Sequence, residues 1–422
     1  MTGKRAFVAA LFFAAALLFS GGGAAAQNIS GVLDTQLSLA AASGDTARFS
    51  WGLEEAANVR LQAKLREGAA FYSAVNFIAA AGSFAQSAAG MGALEQAASN
   101  GAGLAPSAFV SGENYLGALE LERLYFRISG EHTGFDAGLM RLAFGYGQVW
   151  GSSDFLNPRN PLLPNARPRA VLGAAFMAYP LDDAKLQLFG AAPKNPLDSG
   201  GGGVIFGLSA ENHWERISAQ FLYAYETPRE DYPAVTGLAA AGDSPDGPDG
   251  NNGGEYGVHR WGLSLKADVE LGLVADALFT WNPGRDISIE GLSAGAGFDY
   301  SFADGKCYVL LEYLFNGLES STSKTAKPLM GFSNRNYLYA LFRYSINDYS
   351  SVNLGCIASF DDVSFTPTAG FDYELFQGMN LTLTVQAPLD RDSFSGDGSQ
   401  GELGPAKSGA YVNVNTLLRL RF

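Results

Sequence analysis

The last thirteen residues, AYVNVNTLLRLRF (410–422), restrict the possible folds more than any other stretch of the chain. Counting back in twos gives Phe422, Leu420, Leu418, Thr416, Val414, Val412 and Ala410, an apolar face broken by one threonine. The alternate residues are Arg421, Arg419, Leu417, Asn415, Asn413 and Tyr411. Side chains on a strand point to opposite faces in turn, so a period of two marks a strand with one apolar and one wet face. The length suits a tilted strand crossing a membrane, which takes about 9–11 residues. A soluble edge strand can alternate in the same way, but rarely for so long with an aromatic residue ending the chain.

The rest of the chain repeats the pattern. Alternating segments run from 29–40 through 58–66, 70–80, 117–129 and 135–144 to 410–422, about eighteen in all, or sixteen if one weak pair is loop. Gaps between them are tight and long in turn, with long ones near 81–112, 147–168, 227–255, 317–334 and 388–409. The fold expected is all-β: a transmembrane antiparallel up-and-down β-barrel with both termini periplasmic, short turns on that side and long external loops. Within 117–129, Leu119 and Leu121 have the opposite parity to Leu124, Phe126 and Ile128. A β-bulge near Glu122–Arg123 would keep Glu120 and Glu122 off the lipid face. With 17% charged residues and a mean hydropathy of +0.03, the chain is not a helical membrane protein. A barrel escapes hydropathy because only alternate residues meet lipid.

The N-terminus reads as a cleavable export signal, residues 1–26. It has charge at Lys4 and Arg5, an apolar core over 6–18, and small residues Ala24, Ala25 and Ala26 before Gln27. Residues 27–422 are then one barrel. Cys307 and Cys356 share parity with lipid-facing neighbours on strands that are not adjacent, so no disulfide is expected.

With its terminal Phe422, the closing strand resembles that of bacterial outer-membrane β-barrels, in which the closing Phe is read by the barrel-assembly machinery. The resemblance implies a porin-like protein of the cell outer membrane, with lipid and the assembly machinery as partners and a homotrimer as one possible state. The stretch FGYGQVWGSSDFLNPRNP is similar to the strand-to-loop segment of some large outer-membrane channel families. It occupies the place of the inward-folding third loop of general porins. Trp150, Asp154, Asn157, Arg159 and Asn160 are its constriction candidates; the alternative is a rigid external cap.

Eighteen strands enclose a lumen too wide for side chains to fill. On its expected wall, Arg60, Lys64, Arg66, Arg123, Arg127 and Arg141 form a basic quarter, facing Asp276, Asp299, Glu312 and Asp372 on later strands. Arg419 and Arg421 are expected to line the periplasmic mouth. Opposed charges can orient dipolar solutes and set ion preference; solvated side chains paired with neighbours are the plainer reading. Trp150 or Trp51 would suit a sugar-stacking platform only if either points into the pore.

Other classes are disfavoured. A net charge of −14 lacks the basic footprint of a nucleic-acid partner. The three histidines, His132, His213 and His259, have no nucleophile or acid at triad spacing, so no enzyme is expected. No cofactor or metal is implied; the acidic loop at 243–255 does not fit an EF-hand. The function expected is a channel for small hydrophilic solutes, constricted by the third external loop. An adhesin or structural barrel with an occluded lumen is the alternative.

Overall fold

The computed structural model describes residues 27–42, 48–83, 107–112, 114–157, 161, 170–192, 203–228, 257–283, 286–317, 332–391, 393, 401–404 and 411–422. The export signal 1–26, Arg159 and Asn160, and the whole acidic loop at 243–255 lie outside the described residues.

Among the described residues nineteen strands follow in chain order: β1 (Gln27–Ala42), β2 (Arg48–Arg66), β3 (Ala69–Gly82), β4 (Ser107–Gly112), β5 (Tyr115–Ser129) and β6 (Thr133–Met140). After the third long loop come β7 (Val171–Leu181), β8 (Ala184–Ala192), β9 (Ile205–Trp214), β10 (Ile217–Glu226), β11 (Val258–Asp268) and β12 (Gly272–Trp281). The last are β13 (Leu292–Phe302), β14 (Cys307–Asn316), β15 (Asn336–Asn347), β16 (Ser350–Ser359), β17 (Ser364–Phe376), β18 (Met379–Gln386) and β19 (Tyr411–Arg421). Each pairs antiparallel with its neighbour, β3 pairs directly with β5, and β19 returns to β1. Strand β4 pairs only with the outer end of β5, so the closed barrel has eighteen strands. Closure pairs the edge strands, the condition for a sheet that crosses lipid.

Large apolar side chains such as Leu33, Val59, Phe126, Leu188, Leu263 and Leu383 stand exposed on the outward face. At the seam, Gly31 and Phe422 exchange backbone hydrogen bonds of 2.8 and 3.1 Å. The Phe422 ring lies where a Cβ on residue 31 would be, which makes glycine necessary there. The free Cys307 and Cys356 sit on β14 and β16, separated by β15.

Three local features test the alternation. The β3–β5 register shifts so that Ala74 faces Arg123 and Val75 faces Leu121, leaving Glu122 as the extra residue of a bulge. Glu120 and Glu122 accordingly turn inward, onto Asn76 Nδ2 at 2.7 Å and Asn58 Nδ2 at 2.6 Å. The segment expected at 58–66 begins ten residues earlier, at Arg48. Glu55 had blurred the pattern there, but it accepts from Thr35 Oγ1 at 2.8 Å across the β1–β2 pair. The segment expected at 135–144 ends at Met140, because Met140, Leu142 and Phe144 have interior parity and leave the wall. Arg141 therefore lies at the root of the third loop and not on a strand.

Candidate functional site

The third loop enters the barrel. From Met140 the chain crosses inward, and its described part, 141–157, lies against the inner faces of β9–β14. Gly145 and Gly151 make the bends with φ of +81° and +51°, conformations that glycine adopts without strain. Gly147 packs against the backbone of Gly151 and the Asp276 carboxylate so closely that a Cβ would collide with both. The wall is equally bare at this point: a Cβ on Gly297 would lie 2.6 Å from Leu311 O, and one on Gly295 would lie 3.2 Å from Ser152 Oγ.

Six consecutive backbone N–H groups, 145–150, are captured by three wall side chains. Gly145 donates to Gln220 Oε1 at 2.6 Å; Tyr146 and Gly147 donate to Asp276 Oδ1 and Oδ2 at 3.1 and 2.7 Å. Gln148 and Val149 donate to Glu312 Oε2 at 3.0 and 3.1 Å, and Trp150 to Glu312 Oε1 at 2.8 Å. The Trp150 indole donates to the Glu312 carbonyl at 3.0 Å. Hydrogen bonds to ionised acceptors are roughly twice as strong as neutral ones. Successive amides aimed at one anion also satisfy groups that a buried loop would otherwise leave orphaned. Side chains complete the attachment: Gln148 Nε2 to Asp299 Oδ1 at 2.6 Å, Tyr308 OH to Gln148 Oε1 at 3.1 Å, and Tyr146 OH to Glu211 Oε1 at 2.9 Å.

Two apolar clusters flank this polar strip. At the root, Leu142, Phe144, Phe155 and Leu156 bury against Phe189, Leu222 and Leu278 of the wall. At the tip, Trp150 is 0% exposed, enclosed by Leu310, Leu314, Ile357 and Leu403, with Phe332 and Tyr337 rings at 5.6 and 5.7 Å. Phe332 and Leu403 belong to two further external segments that turn in to meet it. Glu402 ties them together, accepting from Ser333 N at 2.5 Å, Asn334 N at 3.2 Å and the Tyr337 hydroxyl. In the adjoining turn, burial alone would raise the Asp362 carboxyl. Hydrogen bonds from Glu402 N–H, Ser364, Asn334 and Ser359 nevertheless hold it below the usual carboxylate range.

The expected lumen charges thus fall into groups. Asp276, Asp299 and Glu312 hold the loop. Asp372 accepts from Asn353 and Thr382 at 2.8 and 2.7 Å. Among the cations, Arg127 binds Asp136 through two bonds of 2.8 and 2.7 Å, Arg419 binds Asp34 through two of 2.8 Å, and Arg123 lies 3.2 Å from Glu122. Arg60 Nε donates to Asn58 Oδ1 at 2.6 Å, while Lys64, Arg66 and Arg421 stand exposed near the periplasmic ends of β2 and β19. Asp154 and Asn157 are buried within the loop. Neither tryptophan offers a platform: Trp150 is enclosed, and Trp51 points outward on β2. Gln220, Glu211, Tyr308, Tyr337 and Glu402 escaped the sequence reading; the only signal was interior parity for the first four, with no partner in view.

No protein-family model and no curated protein matches the sequence. The fold is matched by solved structures. OccK7 (OpdD) of Pseudomonas aeruginosa superposes with a TM-score of 0.50 at 10% identity, over 93% of this chain and 99% of its own. OccAB4 of Acinetobacter baumannii gives 0.50 at 10%, over 95% and 100%. The outer membrane protein OpdK of Pseudomonas aeruginosa gives 0.50 at 9%, over 94% and 98%. At such identities the likeness is one of fold: a closed antiparallel β-barrel of eighteen strands.

Proposed function

We propose that this protein is an outer-membrane channel passing small hydrophilic solutes by diffusion through a lumen that the third loop narrows. The observation that carries the reading is the capture of six consecutive loop amides by Gln220, Asp276 and Glu312 inside the barrel. Such a loop, held by anionic acceptors and two apolar clusters, sets a fixed bore instead of capping the barrel from outside. The solute path then follows the uncovered wall from β18 through β1 to β6, where the exposed cations Arg60 and Lys64 favour anions. The likeness of fold to OpdK, an outer membrane protein, supports the location. Purified protein in a planar bilayer should show stepwise conductance. Complete absence of current would instead favour an adhesin or structural barrel with an occluded lumen.

The terminal Phe422 serves assembly in this reading, supported by its 63% exposure at the rim and its place over Gly31 at the seam. Deleting it should lower outer-membrane levels more than it alters the conductance of the barrels that do form; normal levels would contradict that role.

A further inference from the structure

The uncovered wall contains a patch unlike the charged surface beside it. On β18 every inward position, Asn380, Thr382, Thr384 and Gln386, carries an uncharged hydrogen-bonding side chain, while Leu381, Leu383 and Val385 face outward. The register continues the patch sideways: Thr384 lies opposite Asn415 and Gln386 opposite Asn413 on β19, and Asn415 opposite Ser38 on β1. These inward groups on β18 and β19 are half-buried and open to the lumen. Asn413 Oδ1 is buried with no hydrogen-bond partner, as is Asn353 Oδ1 two strands before β18. Two of the charges at the foot of the patch are already engaged, Asp34 by Arg419 and Asp372 by Asn353 and Thr382, and Arg421 stands below them at the end of β19.

We infer that this amide and hydroxyl wall is a binding track for neutral, multiply hydroxylated solutes, small sugars and polyols, given that the barrel is a channel. An amide side chain both donates and accepts, as does a hydroxyl, so a wall of the two matches a solute whose every hydroxyl must exchange both roles with water. An ionic solute would lose hydration here without gaining a counter-charge. Inward residues of one strand are about 6.6 Å apart and neighbouring strands about 4.8 Å, a grid on the scale of one sugar ring. Many weak contacts of similar strength also permit passage, since a solute must leave each site as readily as it enters.

The test is block of ionic current by a neutral trisaccharide such as raffinose, on the full barrel in a planar bilayer. Wild-type current should fall saturably with sugar concentration. In the Thr384→Val, Gln386→Leu, Asn415→Leu triple variant the half-blocking concentration should rise about tenfold, the effect of losing a few ordinary hydrogen bonds. Should that variant not insert, Asn415→Leu alone should still raise it measurably. Wild-type current with no saturable block, or equal block in wild type and variant, overturns the inference while leaving the channel standing. Absence of wild-type current overturns the channel reading itself.

Discussion

Two halves of one barrel wall meet the lumen differently. From β9 to β17 the inner face is covered by the chain's own segments, and from β18 to β6 it is largely bare. Both halves alternate along every strand, so the difference lies in what occupies the inward positions. On the covered half these include Leu222, Ala224, Leu278, Leu310, Leu314 and Ile357, interspersed with Gln220, Asp276 and Glu312. On the bare half amides, hydroxyls, tyrosines and charged side chains predominate, with carboxylates such as Asp34, Glu120, Glu122 and Asp136 among them. An apolar residue facing a wide lumen would sit in water, so its presence there marks a docking site for another part of the chain. Strand lengths differ too: β1, β2, β3 and β5 run 16, 19, 14 and 15 residues, against 8 to 13 for the other barrel strands. About 9–11 residues cross a membrane, so β1, β2, β3 and β5 extend beyond it on the loop side.

The comparison can be broken most forcefully at Glu312. Replacing it with alanine leaves three loop N–H groups without acceptors, each about 1–3 kcal/mol if buried unpaired. Glu312→Ala should release the loop tip, raising single-channel conductance and adding slow current fluctuations. Unchanged conductance would mean that the apolar clusters alone hold the loop. A smaller effect is expected at Trp150, where truncation opens a cavity worth about 3–5 kcal/mol. Trp150→Ala should increase fluctuations and loosen the segments around Phe332 and Leu403, read as faster amide hydrogen exchange at 332–334 and 401–404. On the bare half, Arg60→Ala with Lys64→Ala should leave thermal stability within about 0.5 kcal/mol. Conductance noise should stay at the wild-type level while the reversal potential under a salt gradient moves toward cations. A reversal potential that does not move would remove these residues from ion selection.

The bulge at Glu122 and the closing role of the last strand were both legible in the alternation itself. Two acidic residues cannot face lipid, and a terminal strand with one apolar face needs a partner. The early start of β2 was not legible, because Glu55 interrupts the pattern and only its hydrogen bond from Thr35 explains it. Of the six cations expected on one quarter of the wall, Arg141 leaves it with the third loop, and the carboxylates beside Arg123 and Arg127 were hidden, as was the partner of Arg419. Asp34 lies 385 positions from Arg419, and no periodicity reports which carboxylate will sit across a seam.

The sequence alone determined a barrel of sixteen to eighteen strands and the two faces of each strand, because lipid and water on opposite sides impose a period of two that any single strand displays. Only the tertiary structure decided that Asp276, Asp299 and Glu312 serve the loop instead of a solute. That assignment depends on residues some 129 to 164 positions apart meeting across the lumen, which local chemistry does not specify.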